Sequence, residues 1–338
     1  MLGCKAGLAQ HRAMSHEPCL SLEQREFEAA ALVAAHPPRF RHEAKRMIYE
    51  QASRTPQSGT IHYSRWAPGA LPERLPAPKL HSAVVPDVFD YAGSDRGVWH
   101  LNFADPHLFI AYGSALLAQD ELQVLEHPAL GSLREALLAA QLPAVTEENT
   151  RPTPVLVAGV ERRCVLDTSP DLDRPQGLYG NHFAKAPLAA IKSALRILSP
   201  PTHTNIIAMA APVGRGRYSR AQLGGILLTA YTAFAAAAQI SRRLWPEAAV
   251  EVRTGFWGCG AFGGNRTVMI LLQLLAARLA QLDRLIVYSV TQSGVLDYES
   301  GVSALRSLLA ASSLDPAIAD LLQQVEERGY LWGVSDGN

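Results

Sequence analysis

Thr254 to Arg266 reads TGFWGCGAFGGNR and packs five of the chain's 25 glycines into thirteen residues. A β-prone run, Ala249-Val250-Glu251-Val252, leads into it, and an apolar stretch with helical character, Thr267 to Leu282, leaves it. Strand, glycine-rich turn and helix in that order can bring backbone N–H groups up to an anion. Glycine has no Cβ and tolerates φ > 0, so successive N–H groups can converge. A helix start adds unpaired N–H groups and the positive end of its dipole. The pattern fits neither GxGxxG nor GxxxxGK[ST], so the two common nucleotide fingerprints do not apply. On the glycines alone, a phosphate cradle and a plain tight turn are equally open.

Composition narrows the rest. A chain of 338 residues can bury a substantial core. Lys plus Arg and Asp plus Glu both number 31, so no net field draws in a nucleic-acid backbone over long range, and the composition does not support a bulk polyanion-binding role. Cys4, Cys19, Cys164 and Cys259 are scattered without metal-ligand spacing, as free thiols in a reducing compartment would be. No charged start followed by an apolar core and a small-residue cleavage site is present, so no Sec signal is expected. The expected location is cytoplasmic; secretion-system effectors can lack such a signal, so delivery to a host cell stays open. Gln222 to Gln239 is the most apolar window. It is short, contains Gly224 and Gly225, and reads as a buried helix rather than a membrane span.

Taken in order, residues 1–80 read as an N-terminal helical extension with a linker. Ser21-Leu22-Glu23-Gln24 has capping-box spacing and predicts a helix to Ala35. His42 to Ala52 predicts a second helix, and residues 53–80 read as Pro- and Gly-rich loop. Residues 81–338 read as the main domain. Val84 to Tyr91 and Gly97 to Phe103 are expected to pair as a hairpin around a turn at Ala92 to Asp95. Leu130 to Gln141 predicts a helix. Val155 to Val160 and Arg163 to Leu166 predict a strand pair, Asp167 to Asn181 a polar loop, and Lys185 to Leu198 a helix. Thr204 to Ala210 and Leu285 to Val290 are short apolar runs typical of buried strands. Tyr218 to Arg243 predicts a long helix, and Asp315-Pro316 starts a last one that ends at Gly329. Strands alternating with helices give a layered α/β domain.

The words Thr254-Gly255 and Trp257-Gly258-Cys259-Gly260-Ala261-Phe262-Gly263-Gly264 resemble the diphosphate-binding loop of the poly(ADP-ribose) glycohydrolases, a branch of the macrodomain superfamily. A second stretch, Asn102 to Glu121 (NFADPHLFIAYGSALLAQDE), is similar to that family's catalytic segment. Phe103-Ala104 stands at the family's separation from Gln119-Asp120-Glu121. The resemblance covers roughly residues 84–330 and implies a macrodomain-like α/β/α fold with a mixed sheet. It implies that Gly258, Cys259, Gly260, Ala261, Phe262, Gly263, Gly264 and Asn265 bind the diphosphate of ADP-ribose. It also implies Glu121 as catalytic acid/base with Asp120 as its partner, and Asn102, Phe103, Asp105 and Gln119 on the substrate. The residue types suit the chemistry, because cleaving a ribosyl C1″ bond passes through an oxocarbenium-like state that needs a carboxylic acid or carboxylate. Acids in a helix's first turn can also serve the dipole alone. Asp90 matches a family acid that takes the adenine amino group, and Tyr179 is a stacking candidate. Both also read as ordinary loop residues. Arg266 is either a diphosphate partner or exposed.

The departures concentrate at one end of the site. The family's triple glycine is replaced by Phe109-Ile110-Ala111, Asp120 stands for a Glu, Asn102 for an Asp, Asp105 for an Asn, Phe256 for an Asn and Asn265 for an Asp. A Phe and a β-branched Ile at the glycine turn are expected to reshape the pocket. The expectation is therefore a hydrolase that removes a single ADP-ribose from a protein side chain. Effector-like relatives act on arginine, including on modified ubiquitin, and the resemblance permits that specificity. A non-catalytic ADP-ribose reader, a poly(ADP-ribose) glycohydrolase, and a scaffold whose pocket Phe109 and Phe256 close are the alternatives. The expected partners are ADP-ribose and ADP-ribosylated protein, without nucleic acid or membrane, and no cofactor or metal is called for. His100, His107 and His127 lack zinc spacing, and Asp167, Asp171 and Asp173 read as a solvated acidic loop.

Overall fold

Alternate residues of the long central strands point into different cores, as a period of two requires of a sheet covered on both faces. Val155 and Val157 pack on one side and Leu156 and Ala158 on the other; Ile206 and Ala208 against Ile207 and Met209 repeat the pattern. The computed structural model describes residues 18–77, 80–91, 96–312 and 315–337. Cys4, the start of the chain and the expected turn at Ala92 to Asp95 lie outside them.

The elements are β1 (Cys19–Glu28), α1 (Ala29–Ala35), α2 (Glu43–Ala52), β2 (Thr60–Pro68), β3 (His81–Val85), β4 (Val98–Ala104), α3 (Gln119–Glu126), α4 (Ala129–Ala139), the short pair β5 (Glu147–Glu148) and β6 (Arg151–Pro152), β7 (Val155–Leu166), α5 (Leu188–Ala194), β8 (Leu195–Ala210), α6 (Arg220–Leu244), β9 (Glu251–Thr254), α7 (Arg266–Leu279), β10 (Arg284–Tyr288), α8 (Gln292–Ala310) and α9 (Ile318–Glu327). Eight strands form one mixed sheet in the order β1-β2-β7-β8-β4-β9-β10-β3. The pairs from β1 to β8 are antiparallel. Those from β8 through β4, β9 and β10 to β3 are parallel. Helices α6 to α9 cover one face and α1 to α5 the other. The expected α/β/α layering and mixed sheet are present. The apolar window on α6 is long and apolar enough to cross a membrane by composition, but 72% of it is buried inside the protein.

Several local expectations give way to long-range pairing. Cys19–Glu28 is a strand, not a helix, because it pairs along its length with Thr60–Pro68, whose β-branched and aromatic residues favour a pleated surface. Residues 60–68, read as linker, are thus part of the sheet. Glu28 caps α1 instead, accepting from the N–H groups of Ala30 and Ala31. β3 and β4 form no hairpin: β3 pairs with β10 at the far edge, while β4 lies between β8 and β9. Residues 155–166 make one continuous strand rather than a pair. Helix α5 ends at Ala194, where β8 begins. Helix α8 had no counterpart in the sequence reading.

Candidate active site

β4 and β9 are parallel neighbours, with His100 opposite Arg253. Their C-terminal ends therefore carry the acid segment and the glycine loop side by side, at the edge of a parallel sheet where ligand crevices form. The two segments touch: a Cβ on Gly255 would meet the Phe103 ring at 3.3 Å.

Gln119 locks α3 to β4. Its Oε1 accepts from Phe103 N–H at 2.8 Å and its Nε2 donates to the Leu101 carbonyl at 2.9 Å. That leaves Asp120 and Glu121 in the first turn, both buried. Asn102 Nδ2 donates to Asp120 Oδ1 at 3.0 Å, and Ala118 N–H donates to Glu121 Oε2 at 2.9 Å. The Glu121 contact is one half of a capping box. Burial, then the neighbouring Glu121 charge, pushes the Asp120 carboxyl up to about 8, against the pull of the Asn102 amide. Burial also raises Glu121, but backbone N–H groups and Lys45 oppose it. One proton on the pair, resting on Asp120, is the arrangement this favours. Two acids held in different protonation states can act as acid and base at one centre.

The pair costs stability, and the sign can be worked out. Asp120 has a folded-state value above its unfolded one, so its contribution is complete below the ordinary carboxylate range and is lost as pH rises to about 8. Asp120→Asn keeps the acceptor for Asn102 and removes that loss. Its melting temperature is expected to exceed wild type by more than about 2 °C at pH 8, with the gap closing near pH 4. Melts at the two pH values decide it; an equal gap at both would contradict the assignment.

In the glycine loop, Gly258 (φ 73°) and Gly263 (φ 64°) hold the left-handed conformation that glycine permits. Gly264 N–H closes the loop onto the Gly258 carbonyl at 2.9 Å. No described residue accepts from the backbone N–H groups of Gly258, Gly260, Ala261 and Phe262. Such a run of unpaired donors ahead of a helix start is an anion cradle. Gln273 on α7 steadies the entry, accepting from Thr254 Oγ1 at 2.6 Å and donating to the Gly255 carbonyl at 3.1 Å. Asn265 caps α7 through Val268 N–H at 3.2 Å. Cys259 is a free thiol pushed up to about 12 by burial. Trp257 is wholly buried beneath the loop.

The chain's last described residues run across this loop, a placement the sequence did not signal. Trp332 stacks on Tyr218 with centroids 4.4 Å apart, and Asn265 Nδ2 donates to the Leu331 carbonyl at 3.1 Å. Gly333 N–H donates to the Gly263 carbonyl at 2.6 Å. Asn181 Nδ2 donates to the Gly337 carbonyl at 3.1 Å. The Asp336 carboxylate stands against the cradle, 3.0 Å from where a Cβ on Gly260 would lie. Tyr179, 40% exposed, bridges the two halves: its hydroxyl accepts from Gln119 N–H at 3.2 Å, and the Asp336 and Glu121 charges both reach it.

Asp90 lies further along the same edge, where its Oδ1 accepts from Arg253 Nη1 and from the Tyr288 hydroxyl, each at 3.1 Å. Phe89 stacks on Tyr288 at 5.0 Å and meets Phe103 edge-on at 6.4 Å. Arg162, buried against Glu126, stacks over Tyr91 at 4.4 Å and donates to the Asp90 carbonyl at 3.0 Å. Asp105 closes its own turn by accepting from His107 N–H. Arg266 pairs with Asp297 at 2.8 Å and lies over the Phe256 ring at 4.7 Å. In the expected acidic loop, Asp167 and Asp171 close on buried Arg174 rather than on solvent alone. His100 and His127 flank Tyr91, whereas His107 is exposed beside Asp105. Among the described residues no group of His, Cys, Asp and Glu converges as a metal site.

The replaced glycine turn is where the structure departs most from expectation. Phe109 adopts a left-handed backbone, with φ 53°, and its ring is wholly buried in the core shared by α3 and α4. The backbone cost is about 1–2 kcal/mol; burying a phenyl ring returns about 1.5–3 kcal/mol, so burial holds the turn. The Phe109 ring therefore does not close the cleft, and Phe256 is engaged under Arg266.

Residues 182–297, roughly a third of the chain, match the family model described as poly(ADP-ribose) glycohydrolase (PARG), macro domain fold. The fold is thus macrodomain-like. The match includes the glycine loop; the acid segment, residues 102–121, lies outside it. Among solved structures, the chain is similar to poly(ADP-ribose) glycohydrolase from Thermomonospora curvata bound to the inhibitor ADP-HPD. The identity is 14%, the TM-score 0.41, and 83% of this chain and 84% of that one are covered. It is also similar to the Deinococcus radiodurans enzyme in complex with ADP-ribose, at 16% identity and a TM-score of 0.39, over 85% of this chain and 94% of that one. At those values the similarities carry no statement about the reaction. No curated protein sequence matches the chain.

Proposed function

We propose that the chain is a glycohydrolase of the poly(ADP-ribose) glycohydrolase type, which hydrolyses the ribosyl C1″ bond and releases ADP-ribose. The observation that carries this reading is the juxtaposition of two buried, adjacent carboxyl groups on α3 with an anion cradle on the neighbouring strand. The cradle N–H groups and the start of α7 take the diphosphate. Glu121, its carboxylate fixed by Ala118 N–H, acts on the C1″ bond as acid/base, and Asp120 and Asn102 orient the ribose. Phe89, Phe103 and Tyr288 offer the apolar wall for the adenine, with Asp90 beside them.

The arginine-linked, ubiquitin-directed specificity expected from the sequence has no finding behind it. The family match favours the glycohydrolase alternative. The expectation rested on the rebuilt glycine turn and the substitutions around the acids and the loop; of these, the Phe109 ring lies in the core. Release of free ADP-ribose from poly(ADP-ribose) and from serine-, acid- and arginine-linked protein tests the reading. Turnover of the polymer is expected. Turnover of arginine-linked protein alone would restore the earlier specificity, and binding without turnover on any substrate would make the chain a reader.

Asp336 predicts a smaller effect on the same site. A carboxylate against the cradle repels a bound diphosphate, so Asp336→Asn is expected to tighten ADP-ribose binding about 2–5-fold at low salt, less at high salt. Calorimetry at two salt concentrations measures this; weaker binding by the variant would show that Asp336 supports the ligand.

A further inference from the structure

Lys45 is wholly buried on α2, outside the region of sequence resemblance. Its ammonium donates to the carbonyls of Tyr112 at 2.9 Å and Leu116 at 2.6 Å, and lies 5.9 Å from the centre of the Phe183 ring. Both hydrogen-bond partners are neutral. An ammonium buried on neutral groups costs several kcal/mol, and a Met or Gln would fill the same space. Charge must therefore have a purpose here. The two carbonyls belong to the stretch from Phe109 to Ala118, the rebuilt turn that ends at the N–H holding Glu121. The charges that bear on Lys45 are Glu121 first and Asp120 second, both from α3. They oppose the burial that brings it down to about 8. Lys45 in turn lowers both acids, while Asp105 raises them. His42, the residue before α2, is kept from protonating by burial and by Lys45, so it adds no second positive charge at neutral pH.

We infer that Lys45 is a positioning residue for the acid pair: its hydrogen bonds to the Tyr112 and Leu116 carbonyls fix the turn that brings Ala118 N–H to Glu121, and its ammonium is the cation that α2 buries behind the pair. This rests on the proposed hydrolase reading for its consequence in turnover, but not for its electrostatics. Two replacements test it. Lys45→Met removes both charge and donors; Lys45→Gln keeps a donor and removes the charge.

The test follows the Glu121 carboxyl carbon by NMR with labelled glutamate, beside pH profiles of polymer hydrolysis. In both variants the Glu121 midpoint is expected to rise by about one unit or more. The acidic limb of kcat should rise with it, giving up to about a 10-fold loss at pH values below the wild-type midpoint with KM within about 2-fold. An unmoved midpoint, or a Gln variant indistinguishable from wild type, would overturn the inference. If the variants do not fold, the reciprocal measurement serves: Glu121→Gln must lower the titration midpoint of the Lys45 ammonium, and an unchanged midpoint would overturn the inference equally. Should wild type hydrolyse no substrate, the hydrolase reading fails, while the two titrations still decide the role of Lys45.

Discussion

Glu121→Gln is expected to lower the release of ADP-ribose from the polymer by about 10²–10⁴-fold, the usual range for losing a positioned acid/base. The carboxylate's fixed contact is Ala118 N–H at 2.9 Å, and the Gln amide oxygen can keep it. The fold and the cradle should therefore survive, and binding of ADP-ribose should change little. Single-turnover rates beside a binding isotherm separate the two effects. A variant that turns over like wild type would remove Glu121 from the reaction. A variant that loses binding and turnover together would mean that it holds the ligand rather than acting on the bond.

The second large effect is on the other half of the cleft. Gly264 sits where a Cβ would come within 2.7 Å of the Gly258 carbonyl oxygen and 3.1 Å of its carbon. Both are backbone atoms, so the loop itself must move. Gly264→Val opens the Gly264 N–H to Gly258 contact that closes the cradle. Displacing aligned groups by about 1 Å can cost about 100-fold, and a loss of that order in ADP-ribose affinity is expected, with α7 and its core packing intact. Retained affinity in a folded variant would show that the loop is a turn between strand and helix and nothing more.

How much of this was legible in the sequence differs from one residue to the next. The strand, glycine loop and helix of β9 and α7 could be read locally because the glycines, the N-cap Asn265 and the apolar helix form one continuous signal. Asp120 and Glu121 were singled out by the resemblance and as adjacent acids at a helix start; that the Gln119 amide spans two backbone positions of β4 and sets their place had to be seen. The neighbourhood of β4 and β9 was expected only through the resemblance. β1 was misread because its capping-box residues are a local signal, whereas its state is set by pairing with β2 some forty residues on. Phe109 could not be read correctly from residue type. A left-handed Phe is uncommon enough that its backbone had to be seen. Lys45 did leave a trace: it shares the i, i+3, i+7 face of α2 with buried Ile48 and Ala52, and a lysine on an apolar face asks for a partner. The path of residues 331–337 over the cradle left none, since short polar segments carry no periodicity.

The cradle and the acids are assigned separate tasks, holding and cutting, and one titration separates them. ADP-ribose is titrated by calorimetry into wild type, Glu121→Gln and Gly264→Val under the same conditions. The account predicts one site of similar affinity in the first two and a loss of about 100-fold in the third. No binding by wild type, or equal binding by all three folded proteins, would contradict it.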